Sequence, residues 1–534
     1  MEAILHDFNG GANDGRSPSA AVIYHDGKLY GTTSNGGTFD FGTLYSYDLT
    51  SGLLTVLHSF GANGSDGSLP NAAVIYQGGI LYGTTTYGGV ENNNGILFSY
   101  DLITSDYTIL YSFTGGADGS HCNAPVIYQS GILYGTTTDG GGDDVGILFA
   151  FDLGSGLIAT LHSFGGGSEG ANSYASVIYQ GGILYGTTSL GGSNNGGTLF
   201  SYDLDSGTFT TLHSFTGTGI DGLVPYASVI YQNGILYGTT RVGGDNNLGV
   251  LFSYDLATNT YETFFYFDGL NGSYPISPFL YLGGTLYGTC SSGSGDNTNG
   301  TLFSYDLSSN TFTILHSFTG SEGDGAYPNT SVIHQDGILY GITGYGGGND
   351  TGSLFSYILP IIPISGVCFP AGTPISCDQG NIPIEKINPL KHTVNNQTIT
   401  AITRTISQDN YLICFDQHAL AHNCPNQRTI VSKNHKILYR GKMMEAHKFL
   451  GHSKQVRKVK YSQQILYNVL MEKHDLIHVN NIVCETLHPN NIVARLHNSH
   501  LKQKEKNEII RSMNESIHKK DRNSFARVAR LINP

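Results

Sequence analysis

Residues 225–267 read PYASVIYQNGILYGTTRVGGDNNLGVLFSYDLATNTYETFFYF, and the fold follows from them. The segment ASVIYQ at 227–232 predicts a strand. Asn233-Gly234 then turns the chain tightly into ILYGTT at 235–240, because both residue types accept positive φ. A polar loop, RVGGDNNLG, leads to VLFSYDL at 250–256. The short turn ATNT leads to a fourth strand, YETFFYF, at 261–267. Four short strands joined by tight turns make one antiparallel sheet.

Outward from this unit, the same pattern recurs along the chain. The LHSF-like strand ends at Phe8, Phe60, Phe113, Phe164, Phe215, Phe267 and Phe318. The LYG segment places its tyrosine at Tyr30, Tyr82, Tyr134, Tyr185, Tyr237, Tyr287 and Tyr340. Seven units of about fifty residues, four strands each, predict a seven-bladed β-propeller over 1–360, an arrangement that leaves few exposed sheet edges. The last unit stops at SLFSYIL without its LHSF strand, and the chain opens with that missing piece, AILHDF at 3–8. Pairing of 3–8 with 353–358 would therefore close the ring.

Residues that recur blade by blade read as architecture. His58, His162, His213 and His316 share one strand position, and packing or edge hydrogen bonding accounts for them. Asp48, Asp101, Asp152, Asp203, Asp255 and Asp306 each precede a turn and read as caps. Asp66, Asp118, Asp221 and Asp324 sit in Asp-Gly loops; oxygen ligation of calcium is one reading, and a plain turn is the preferred one.

These units resemble the GloVer tandem repeat, a propeller-like repeat of the form LHSFTG…DG…LYGTT…GTLF, over essentially all of 1–359. Such a scaffold fixes no chemistry. A glycan or protein ligand on the propeller face is the partner it suggests.

Charge divides the chain at the same place. Residues 1–360 hold 3 basic and 29 acidic residues, a net of −26; residues 361–534 hold 24 and 12, a net of +12. The acidic repeat region argues against nucleic-acid binding there. Seven cysteines without a CxxC pair suggest neither a zinc site nor a disulfide framework, so no metal and no cofactor are expected. No signal peptide or transmembrane segment is visible, and an intracellular or virion-associated protein is expected.

After Pro363 the text changes to Gly366-Val367-Cys368-Phe369-Pro370-Ala371-Gly372-Thr373-Pro374-Ile375, followed by CDQGNIPIEKI. Two further blocks follow in order: Thr429-Ile430-Val431-Ser432-Lys433-Asn434-His435, and Leu466-Tyr467-Asn468-Val469-Leu470-Met471-Glu472-Lys473-His474 continuing to Val479–Val483. Together they resemble the hedgehog/intein (Hint) autoprocessing domain, whose first residue is a cysteine and whose middle block is TxxH. The resemblance implies a β-rich domain over 368–494, after a linker at 361–367 that contains the scissile junction. The domain combination resembles proteins of large DNA viruses.

The chemistry accounts for the residue types. An amide is a poor electrophile, and a thiolate attacking the carbonyl just before it converts the amide to a thioester. Here Cys368 would attack Val367. His435 would protonate the departing nitrogen, with Ser432 or Thr429 bonded to the scissile peptide. Water, a thiol or another small nucleophile would then take the acyl group. Asn468, His474 and Cys484 are supporting candidates; Cys484 would lie near Cys368, as a second acyl acceptor or a disulfide partner that silences it.

This chain departs from the splicing pattern. Glu485 and Thr486 stand where splicing members carry His-Asn, Asn468 stands where Asp or Cys is common, and β-branched Val367 crowds its own carbonyl. Cleavage or acyl transfer is therefore expected rather than splicing. The alternative is a propeller that binds a partner beside an inactive Hint remnant. The remainder, 495–534, is basic and reads as a helical tail, with Ile509, Ile510, Met513 and Ile517 at helical spacing.

Overall fold

The computed structural model describes residues 2–359 and 368–485, apart from 62–64, 91–92, 283, 294–298, 308–309, 322, 336–337, 390, 406–410, 434, 462–465 and 472–475. The expected linker with Val367, His474, and the helical tail at 495–534 lie outside the described residues. The chain divides into two compact units, Met1–Leu359 and Pro360–Pro534. Both are built of strands; among the described residues the only helices are three short 3-10 turns.

Residues 2–359 form seven four-stranded antiparallel sheets of the propeller-blade kind. In the unit quoted above the strands are Ile230–Gln232, Ile235–Thr240, Val250–Asp255 and Thr260–Tyr266. Asn233 and Gly234 both have positive φ (51° and 89°), as the two-residue turn requires. The first strand is shorter than the sequence suggests. The carbonyl of Ala227, inside the predicted strand, accepts a hydrogen bond from Thr187 of the preceding unit instead of joining its own ladder. A further two-stranded ribbon, Gly222–Leu223 with Val242–Gly243, was not legible in the alternation.

The sheet with strands Ile333–Gln335, Ile338–Thr343 and Ser353–Ile358 is completed by Glu2–Asp7. Glu2 lies opposite Tyr357 and Asp7 opposite Ser353. A β-bulge interrupts this pairing at Leu5, between Ile4 and His6. The same bulge recurs in the outer strand of the other six sheets, at Leu57, Leu110, Leu161, Leu212, Phe264 and Leu315. The strand supplied by the chain's start thus reproduces the geometry that the other six sheets build from contiguous chain.

The hydrophobic effect links the sheets pairwise. Each apolar cluster combines one sheet's outer Phe with the inner strands of the next. Leu44 and Phe60 pack with Leu81 and Phe98, and Leu148 and Phe164 with Leu184 and Phe200. The series returns to its origin: Phe8 and Leu354 of the closing sheet pack with Leu29 and Tyr45 of the first. Each buried Phe contributes about 1.5–3 kcal/mol. The stability of this unit is therefore shared among seven interfaces that run in a closed cycle.

The larger apolar cluster of the second unit contains Phe369, Ile413, Phe415, Val431, Phe449 and Val469, and a smaller one gathers Cys368, Leu412, Tyr461 and Leu466. The unit's largest sheet orders Phe369–Pro370, Leu466–Met471, Gln397–Thr405 and Thr393–Val394 side by side.

Candidate active site

Cys368 is fully buried at the entry to the second unit. Phe369 pairs with Tyr467 and Pro370 with Leu466, so the register carried one residue further sets Cys368 across from Asn468. The strand beside Cys368 is therefore the first half of the late block. Cys484, in its second half, lies instead opposite Ile437 and Ile477. Cys484 and Cys368 belong to different apolar clusters, and none of the seven cysteines forms a disulfide.

Ser432 is joined to Cys368 twice. The Cys368 amide nitrogen donates to Ser432 Oγ at 3.2 Å, and the Ser432 nitrogen donates to the Cys368 carbonyl at 3.0 Å. The His435 nitrogen in turn donates to the Ser432 carbonyl at 3.2 Å, which makes 432–435 a tight turn. That turn is held from outside, because the Ala446 nitrogen donates to the His435 carbonyl at 2.7 Å. The His435 imidazole is fully buried and packs on the Phe369 ring with centroids 4.3 Å apart. Phe369 thus places the imidazole beside the residue that follows Cys368. Sequence reasoning assigned Phe369 no role, although an aromatic directly after the cysteine was the available signal.

Thr429 is placed differently from Ser432. Its hydroxyl donates to the Gln427 carbonyl at 3.0 Å and accepts from Asn480 Nδ2 at 2.9 Å. Those bonds fix the late-block turn at Asn480. Asn468 is 1% exposed, and neither atom of its side-chain amide has a hydrogen-bond partner among the described residues. Burying an amide without partners costs free energy. Burial, the main cause, raises the thiols of Cys377, Cys414 and Cys424, which keeps them protonated near neutral pH.

In the first unit the repeated histidines serve the loops. His58 Nε2 is 3.0 Å from Asp66, His213 Nε2 3.2 Å from Asp221, and His316 Nε2 3.1 Å from Asp324. Asp66 also accepts from the backbone nitrogens of Gly61 and Gly67. Asp48 and Asp101 cap their turns by accepting two backbone N–H groups each.

Comparison with known proteins gives two family matches. The model of the Gloeobacter/Verrucomicrobia repeat matches residues 2–197, 90–297 and 177–360, and that of the Hint domain matches 367–491. No curated protein is matched by the chain. Among solved structures, a protein described as the extracellular domain of a one component system from B. thetaiotaomicron is 14% identical, with a TM-score of 0.43 over 68% of this chain. The match spans only 43% of that protein. Oligogalacturonate lyase from Vibrio parahaemolyticus is 10% identical, with a TM-score of 0.44 over 67% of this chain and 93% of its own. No helix among the described residues is long and apolar enough to cross a membrane.

Proposed function

Because the chain belongs to the Gloeobacter/Verrucomicrobia repeat family and carries a Hint domain over 367–491, we propose that the C-terminal unit cuts its own chain between Val367 and Cys368. The observation that carries this reading is the hydrogen bond from the Cys368 amide nitrogen to Ser432 Oγ. That nitrogen is the leaving group of the reaction, and the same turn holds His435 against Phe369.

The Cys368 thiol passes its proton to the His435 imidazole, and its sulfur attacks the Val367 carbonyl carbon. The C–N bond of the Val367–Cys368 peptide then breaks. The nitrogen takes a proton from the His435 imidazolium and becomes the free α-amine of Cys368. The acyl group now sits on sulfur as a thioester. Water or a small thiol displaces it, giving fragment 1–367 and a fragment that begins at Cys368. Splicing is not part of this reading, since Thr486 has no side-chain amide to cyclise.

Intact-mass measurement on the purified chain tests this. Fragments 1–367 and 368–534 are expected, faster with hydroxylamine or thiol and absent in Cys368→Ala. A single mass, identical in wild type and variant with and without thiol, would refute the reading.

A second activity of the repeat region has its own support. Arg241 lies over the rings of Tyr226 and Tyr274, at 5.7 and 6.0 Å from their centroids, and Tyr226 packs on Tyr174. Aromatic rings beside a guanidinium suit a glycan or a protein segment. Loss of binding on a glycan array in Tyr226→Ala would support this; a wild-type chain that binds nothing there would count against the glycan form.

A further inference from the structure

Four of the seven outer strands stack an aromatic ring on the preceding sheet, and two carry an aliphatic residue at that position, Leu54 and Ile158. The ring at the strand position of Tyr107 lies flat on the histidine of the preceding sheet. Tyr107 stacks on His58 at 3.7 Å, Phe209 on His162 at 3.9 Å and Tyr261 on His213 at 3.9 Å. Phe312 stacks on Phe265 in the same way at 4.3 Å. Where the chain's two ends meet, this position is Glu2, set against His316. A carboxyl therefore occupies the place that four interfaces fill with an aromatic ring.

Glu2 is not there as a solvated surface acid. Its side chain is 8% exposed, and Oε1 has no hydrogen-bond partner among the described residues. Oε2 is 3.9 Å from His316 Nε2, and that nitrogen is 3.1 Å from Asp324 Oδ1. The three ligand atoms lie within 4.8 Å of one another. Asp324 is anchored in turn by the Gly325 nitrogen at 2.8 Å and by the nitrogen and hydroxyl of Thr319, both at 2.8 Å. Two carboxylates facing one imidazole leave net negative charge in a poorly hydrated place. Burial, the largest influence, pushes the Glu2 carboxyl up to about 7, and His316 only partly opposes it.

We propose that Glu2, His316 and Asp324 bind a first-row divalent cation that clasps the seam of the ring. Donor atoms bonded to one ion at ~2.0–2.2 Å stand about 3–3.5 Å apart, so a small closing movement of Glu2 completes the set. The proton shared between His316 and Asp324 is displaced, both groups coordinate the ion, and solvent fills the remaining positions. The mixed oxygen and imidazole donors suit manganese, zinc or ferrous iron better than calcium. Spacing rules could not find the site, because Glu2 and His316 stand at opposite ends of the repeat region and meet only through ring closure. The inference rests on the first unit alone and is independent of self-cleavage at Cys368.

The test uses the full chain with Mn2+ alone, which disfavours the thiolates of the C-terminal unit. Glu2→Phe restores the ring found at Phe209 and Phe312, and His316→Phe installs the residue found at Phe265, so each variant has a precedent within the molecule. Wild type should bind one Mn2+ more than either variant, by titration calorimetry or by loss of the free-ion resonance signal. Mn2+ should also raise the melting midpoint of wild type by several degrees and leave both variants unmoved. Equal Mn2+ stoichiometry in wild type and Glu2→Phe, or a wild-type midpoint indifferent to Mn2+, would overturn the proposal.

Discussion

Ser432 and Asn468 make opposite predictions at the residue scale. Ser432→Ala removes the acceptor of a buried amide, a loss of about 1–3 kcal/mol. If that bond is kept into the transition state, cleavage should slow roughly tenfold or more, read as the rate of appearance of fragment 368–534. Asn468 carries two buried polar atoms that its described surroundings leave unpartnered. Asn468→Leu should therefore leave the melting midpoint unchanged or raise it, while cleavage falls if the amide faces the reacting carbonyl. A large drop in stability would instead mean that the amide has partners in the folded chain. Cys368, Ser432 and His435 were legible through the resemblance of the blocks at 366–375 and 429–435 to the Hint domain. The sequence could not separate Ser432 from Thr429, since both are hydroxyls in a single block. Only the register shows one at the Cys368 amide and the other bonded to Asn480.

At the scale of the element, the loops and bulges set the energetics. Burial alone would raise Asp66 and Asp221, but hydrogen bonds from His58 to Asp66, and from His213 and Thr216 to Asp221, outweigh it and hold both carboxyls below their ordinary 3.8. The native state thus holds these protons more weakly than the unfolded chain. The stability involved is present above about pH 4 and is lost as pH falls below it. Urea midpoints measured from pH 6 down to pH 3 should decline, and the decline should be shallower in Asp221→Asn. At neutral pH that variant should lose about 1–2 kcal/mol. Gly238 illustrates a tighter constraint. A Cβ there would stand 2.5 Å from Phe252 Cζ, so Gly238→Ala should cost about 1–3 kcal/mol, checked by chemical denaturation. The strands were legible because alternation and Asn-Gly turns are local. The bulges were not, because an extra residue in a strand leaves the composition unchanged and shows only in the partner's register.

For the whole molecule, ring closure was legible because the missing last strand and the surplus first strand are complementary text. The cyclic order of the apolar clusters adds the physical reason: each sheet needs a neighbour on both sides. Deleting residues 1–8 should therefore expose two interfaces at once. The shortened chain should melt at least 10 °C lower (~4 °C or less per kcal/mol for a unit of this size, with several apolar side chains lost) and in a broader transition. An unchanged midpoint would show that the seam contributes little. The proposed scission leaves this seam whole, since both of its strands precede residue 367. The way those strands meet also has a mechanical consequence. They are antiparallel, with Glu2 opposite Tyr357, so the two ends of the repeat region leave from the same end of the pair. Tension applied between those ends would load the ladder one rung at a time, like a zip pulled from its open side, and not in shear across every rung together. In an optical trap the repeat region should yield first at its seam, at low force, and then unravel sheet by sheet.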